Sequence, residues 1–148
     1  MAAVRRGAWV ALRYVTTLFF LGVVVQFFLV GYGLFAMKHG ATIEHAHSLN
    51  AHRDLGWILS EFGAGLMLIF ALIAWPSRRL LGIWIVLAVL AFFQGVLASS
   101  GVDHWGLGML HPVNALLLLG ISGRLAHYGW TTGRSAEAAA PPATAPTG

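Results

Sequence analysis

Apolar residues fill four long stretches of this sequence, and nearly all of the charged residues lie between them. Residues 14–37, 80–101 and 105–123 carry no charged side chain, and residues 55–75 carry only Glu61. Each stretch approaches or exceeds the roughly 20 residues that a helix needs to cross about 30 Å of hydrocarbon. The strict alternation of a membrane β-strand is absent, and a helix satisfies its own backbone hydrogen bonds in lipid. The pattern therefore predicts an all-α integral membrane protein with four helices.

Signals at the ends of these stretches set the predicted boundaries. After a short basic lead over residues 1–13, we expect helices over 14–37, 49–75, 80–99 and 105–128, within one transmembrane domain that covers residues 1–134. Ser48 is the expected N-cap of the second helix, Pro76 should end that helix, and Asp103 is the expected N-cap of the fourth. The Pro/Ala/Thr-rich segment 135–148 has little to bury, so we expect it to be disordered.

The basic residues predict how the helices are oriented. One set precedes the first helix, separates the second from the third and follows the fourth: Arg5, Arg6, Arg13, Arg78, Arg79, Arg124 and Arg134. The other two connections hold only Lys38 and Arg53. The positive-inside rule therefore predicts an up-down bundle with both termini in the cytoplasm. The net charge of +4 is explained by topology, and we expect no nucleic-acid partner.

Composition supports a membrane protein and excludes several chemistries. The 148 residues are 58% hydrophobic and 9% charged, whereas a soluble domain has about 25% charged residues. The chain has no cysteine. Disulfides, thiolate catalysis, cysteine-held iron–sulfur clusters and covalent c-type haem attachment are therefore excluded.

Two histidines occupy matching places near the starts of the second and fourth helices. His52 is followed four residues later by Gly56, and His111 by Ala115, so each has a small residue one turn away on the same face. A ring nitrogen from each of two helices, beside small residues, is typical of a porphyrin site in a helix bundle. The sequence therefore predicts one b-type haem with His52 and His111 as iron ligands, and Gln94 on the third helix as a neighbour.

Simpler interpretations of these residues remain open. His111 can make an interhelical hydrogen bond, for example to Gln94, and His52 can be a solvated histidine at the membrane edge. If the helices start near Ser48 and Asp103, the two histidines differ in depth by about 6 Å. Arg53 is either a partner for a haem propionate or a solvated loop charge.

The other histidines and the one carboxylate within a span give weaker hypotheses. His45, His47 and His104 are a candidate outer site for copper or zinc, with solvated loop histidines as the alternative. His127 has no matching histidine on the second helix, so a second haem is not expected. Glu61 should point away from His52, and it is either a proton relay, a polar contact of Gln26 or Gln94, or a protonated structural carboxyl.

Three short motifs resemble those of the haem A synthase superfamily: "HRDLG" at residues 52–56, a glutamine at position 94, and "LHPVNALLLLG" at residues 110–120. The resemblance covers roughly residues 18–119 and one four-helix half of that enzyme, and it is closer to a set of small bacterial four-helix membrane proteins. It implies that His52 and His111 bind haem. The chain has one half instead of two, Leu49 in place of a glutamate, and no outer-loop cysteines. The resemblance therefore implies haem binding without the synthase reaction. Cytochrome b561-type proteins are similar in architecture but use two histidine pairs.

These observations predict a multi-pass protein of the bacterial plasma membrane with a haem-linked redox role near the outer face. Two axial histidines leave no open iron position, which favours an electron carrier over a stand-alone enzyme. Besides the lipid bilayer, expected partners are a redox protein or a quinone, and either a larger membrane complex or further copies of the chain. The alternatives are a non-haem accessory subunit and a quinone-interacting protein.

Overall fold

The computed structural model describes residues 1–37, Thr42 and residues 46–138, and within them the fold is all-α. Four helices dominate it: α1 (Ala2–Phe35), α2 (His47–Ala74), α3 (Arg78–Asp103) and α4 (Leu110–Ala138). A four-residue helical segment, Trp105–Gly108, leads into α4. All four long helices are long and apolar enough to cross a membrane.

The first helix begins twelve residues earlier than the sequence predicted. The basic lead is helical because it packs against the rest of the bundle: Ala8 and Leu12 are buried in the core. Arg5 donates from Nε to the Ala74 carbonyl at 3.2 Å and from a terminal nitrogen to the Trp75 carbonyl at 2.7 Å. These two bonds satisfy carbonyls that the end of α2 leaves without helical partners.

The second helix is irregular along its length. It opens with a 3₁₀ turn, His47–Leu49, and contains a π-helical segment, Ile58–Gly63, between two α-helical parts. The prediction of Ser48 as an N-cap was wrong, because its hydroxyl donates to the Gly33 carbonyl of α1 at 2.8 Å. This bond ties the start of α2 to the end of α1.

The turn between α2 and α3 forms close to where Pro76 predicted it. Trp75 lies in the left-handed region with φ 44° and ends α2. Ser77 is the N-cap of α3, and its hydroxyl accepts a hydrogen bond from the Leu80 backbone N–H at 3.4 Å.

The connection between α3 and α4 differs from the prediction. Asp103 ends α3 and is not the N-cap of α4; the chain turns at His104 instead. A Cβ on Gly101 would lie 2.7 Å from the Cα of Gly108. The two backbones therefore meet at a distance that only glycine permits, and this contact folds the Trp105–Gly108 segment back on α3 so that α4 proper starts at Leu110.

The helices pack as a ring around a core in one half of the bundle. α1 packs against α2 and α4, and α3 packs against the same two helices, so α2 and α4 lie diagonally opposite each other. The largest fully buried side chains include Leu12, Met67, Trp84 and Leu87. Trp84 donates from Nε1 to the Thr16 hydroxyl at 3.2 Å. These residues lie in the half that contains the beginning of α1 and the end of α2.

The outer surface of the bundle is apolar. Many large hydrophobic side chains are exposed, among them Leu18, Phe28, Val89 and Leu116. A soluble protein rarely exposes so continuous an apolar surface, which agrees with four membrane-crossing helices.

Near the C-terminus, α4 continues to Ala138, four residues into the segment expected to be disordered. The remainder of that segment, 139–148, lies outside the described residues.

Candidate functional site

A cavity of about 400 Å³ lies in the half of the bundle opposite the packed core. All four helices line it, and Phe19, Ala91 and Leu118 of the core are among its lining residues. Its lining also includes Trp57 and Val102, which are 60% and 62% exposed, so the cavity reaches the surface of the bundle. The volume falls in the range of roughly 300–1,000 Å³ typical of cofactor and ligand pockets.

His52 and His111 meet in this cavity from diagonally opposite helices. Their ring centroids are 6.3 Å apart and their planes are inclined by 71°. The sequence placed His111 further into its helix than His52, counting from Asp103 and Ser48. Because α4 proper begins at Leu110, His111 lies near the start of its helix, as His52 does in α2.

Two glutamines hold the backbone at these histidines from the neighbouring helices. Gln26 of α1 donates from Nε2 to the His52 carbonyl at 3.0 Å, and Gln94 of α3 donates from Nε2 to the His111 carbonyl at 3.1 Å. Each histidine is therefore fixed to the preceding helix in the same way. The Nε2 atom of Gln94 also lies 3.2 Å from Nε2 of the His111 ring.

Asn114 belongs to the polar network beside His111, and the sequence analysis did not single it out. It is buried, and its Nδ2 donates to Gln94 Oε1 at 2.7 Å and to the Leu90 carbonyl at 2.9 Å. Asn114 thereby holds the Gln94 amide with its NH₂ group toward His111. Its spacing of three residues from His111 places both on one helix face, and that spacing was the signal available in the sequence.

Each histidine ring retains a buried nitrogen without a partner. Among the described residues, Nδ1 of His52 and Nδ1 of His111 are buried and make no hydrogen bond. Unpaired buried polar atoms are rare and costly. The two unpaired Nδ1 atoms leave each ring with one hydrogen-bonding position unused.

The other predicted pocket residues also line the cavity. Gly56 and Ala115 both face it, and a Cβ on Gly56 would lie 3.1 Å from Gln26 Nε2. Glycine at position 56 is therefore what lets Gln26 reach the His52 carbonyl. Arg53 lines the cavity as well, and its guanidinium donates to Asn50 Oδ1 at 3.3 Å.

Several candidate residues lie away from the cavity. Glu61 is exposed on the outside of α2 and does not contact Gln26 or Gln94, contrary to one of the expected roles. His127 is exposed near the end of α4. His47 and His104 are exposed, and His45 lies outside the described residues. Within the described residues no group of three or more His, Asp or Glu is arranged to hold a metal ion, and the outer metal site stays a prediction.

No family model, no curated protein and no solved structure matches the chain. The function of the cavity therefore has to be inferred from its own residues and geometry.

The polar network behind His111 gives a first testable prediction. Asn114→Leu leaves the buried side-chain oxygen of Gln94, Oε1, without its hydrogen-bond partner. Interhelical hydrogen bonds in membranes contribute about 0.6 kcal/mol and at most about 1.7 kcal/mol. We expect a loss of unfolding free energy of this size, measured by denaturation in mixed micelles. Val113→Leu, on the exposed side of the same turn, is the matched control and should be neutral; equal stability of both variants would contradict the role of Asn114.

Proposed function

We propose that the chain is a multi-pass protein of the bacterial plasma membrane, folded as an up-down four-helix bundle with both termini in the cytoplasm. Two sets of contacts support antiparallel neighbours: Arg5 at the start of α1 bonds to the end of α2, and Ser48 at the start of α2 bonds to Gly33 near the end of α1. Seven arginines at one end of the bundle against two basic residues at the other support the orientation.

This topology predicts the location of reporter fusions. An activity reporter fused at Gly148 should read cytoplasmic, and one inserted between Thr42 and Ser48 should read external. The arginine asymmetry is the cause, because basic loops are retained on the cytoplasmic side. The opposite pattern would place the cavity at the inner face and overturn the orientation.

We propose further that the cavity holds one b-type haem between His52 and His111. The observation that carries this proposal is the separation of their rings. An imidazole nitrogen binds a first-row metal at about 2.0–2.1 Å, so a metal between the two rings would lie within reach of both. The observed separation is 6.3 Å.

The residues around the histidines suit this ligand. The cavity is mostly apolar, Gly56 and Ala115 leave its walls open, and each ring has an unpaired buried nitrogen. Arg53 supplies a positive charge for a propionate. A haem held by His52 and His111 would supply one-electron chemistry, which favours electron transfer as its role. The contribution of the protein would be to hold both histidines in place, through Gln26 at His52 and through Gln94 with Asn114 at His111.

A visible spectrum of the purified protein tests the proposal. Protein isolated from haem-replete cells and reduced with dithionite should show a low-spin b-type spectrum with close to one haem per chain. A wild-type protein that stays colourless after haem supplementation would overturn the haem proposal and leave the topology proposal intact.

One observation favours a second function, that of a non-haem accessory subunit. The contact between Gln94 and the His111 ring is an interhelical hydrogen bond of the kind that holds membrane helices together. In this role the histidines would be structural and the cavity would accept an apolar guest such as a quinone ring. The spectrum separates the two functions, because only the haem protein absorbs in the visible region.

A further inference from the structure

The exposed side of α2 carries a carboxylate half way along the membrane span. Glu61 has about 20 Å of helix on either side of it within His47–Ala74. If α2 crosses the bilayer, this places Glu61 near the middle of the hydrocarbon, on the exposed surface of the bundle and not among the residues that line the cavity. Charged groups at this depth are costly and almost always meet another polar group.

The described part of the chain offers Glu61 no such group. It makes no hydrogen bond or ion pair within residues 1–37, 42 and 46–138. The amides of Gln26 and Gln94 bond to His52, His111 and Asn114, and the Gln26 Oε1 that has no partner is buried. Exposed side chains around the middle of the other three helices are apolar: Leu21, Val25, Val89, Phe92, Leu116 and Leu117.

We propose that the exposed face of α2 pairs with the same face of a second copy of this chain, with the two Glu61 carboxyls hydrogen-bonded to each other. All copies of a membrane protein share one orientation, so a two-fold axis along the membrane normal brings each Glu61 to the depth of its counterpart. A neutral carboxyl has one donor and one acceptor. It is therefore complementary to itself.

The surroundings of Glu61 permit a close approach of two α2 helices. Gly65 lies one turn further along, and a Cβ there would meet nothing within 4 Å. Small residues at such positions let membrane helices come together. Ile58 and Phe62, which are 54% and 71% exposed, flank the carboxyl with apolar surface. Asp54, two turns toward the start of α2, would meet its counterpart at the membrane edge, where water and salt screen the repulsion.

Single cysteines test the contact directly, because the chain has none of its own. Gly65→Cys places a thiol beside Glu61. Gly120→Cys is the matched control: it is an exposed glycine at similar depth on α4, and a Cβ there also meets nothing within 4 Å. Each variant of the full chain is reconstituted at low density in phosphatidylcholine–phosphatidylglycerol vesicles, oxidised, and run on a non-reducing gel.

We expect a disulfide-linked dimer for Gly65→Cys and monomer for Gly120→Cys. Adding Glu61→Leu to Gly65→Cys should lower the dimer association constant roughly 3- to 18-fold, the range expected for an interhelical hydrogen bond, whereas Glu61→Gln should retain most of it because an amide also donates and accepts. Far-UV circular dichroism checks that each variant stays folded, which the exposed position favours.

Three results would overturn the proposal. They are equal cross-linking at positions 65 and 120, unchanged cross-linking in the Glu61→Leu background, and, in native membranes, a cross-link from position 65 to a different protein in place of a second copy. None of these depends on haem, so failure of the dimer and failure of the haem site are distinguishable.

Discussion

With haem bound as proposed, His52→Ala and His111→Ala are each expected to remove the low-spin spectrum. The two rings approach from opposite helices with centroids 6.3 Å apart, so each would supply one of the two iron ligands. Removing one leaves a single imidazole, and the bound haem should be lost or converted to a high-spin form. Optical spectra of the oxidised and reduced variants, with haem content per chain, measure the effect.

His127→Ala is the matched control for this experiment. His127 also belongs to α4 but is exposed, outside the cavity and far along the helix from His111. Its substitution should leave the spectrum unchanged. If His127→Ala lost haem while His52→Ala kept it, the site would lie at the other end of the bundle and the assignment of the cavity would be wrong.

Ala115→Leu should empty the cavity of haem without unfolding the protein. Ala115 lies one turn from His111 and faces the cavity, so a larger side chain occupies space that a flat ring needs. Overpacking of this kind costs about 1–3 kcal/mol, or roughly 5- to 150-fold in affinity. Gly56→Leu should act in the same direction, with the added effect that its side chain displaces Gln26 from the His52 carbonyl. Haem titration followed by absorbance measures both.

Gly120→Leu on the open outer surface of α4 controls for the added bulk. It should insert, remain monodisperse by size-exclusion chromatography and bind haem like the wild type. Wild-type affinity in both Ala115→Leu and Gly56→Leu would show that the ring does not lie between these helices, and the assignment of His52 and His111 as ligands would have to be withdrawn.

The sequence predicted the number and approximate place of the helices because charge and apolar length are local properties. The C-terminal end of α2 was predicted to within one residue, because Pro76 limits the helix before it through its own backbone geometry. The start of α1 was missed because its arginines look like a loop until Arg5 is seen to bind the Ala74 and Trp75 carbonyls of a distant helix. Ser48 and Asp103 were assigned as caps from residue type alone, whereas tertiary contacts decide what their side chains and backbones do.

In the candidate site, too, local properties of the sequence were predictable and tertiary contacts were not. Their matching places near the starts of two predicted helices made His52 and His111 candidates, and the structure brings their rings into one cavity. The position of His111 at the beginning of α4 was not predictable, because it depends on the close contact of Gly101 with Gly108 before that helix starts. The role of Asn114 was hidden for a similar reason: its partners, Leu90 and Gln94, belong to another helix.

The uneven packing of the bundle has a consequence for how the protein is assembled. Trp84, Met67 and Leu12 close one half with the chain's own side chains, while the other half encloses the cavity. The closed half has an apolar core and the hydrogen bonds of Arg5 to the end of α2, and neither needs a bound group. The helices could therefore pack together in this half as soon as they are inserted. A cofactor would then bind late, to an apoprotein that is already folded. The half of the bundle that contains His52 and His111 would be the part whose amide hydrogen exchange slows when the cavity is filled.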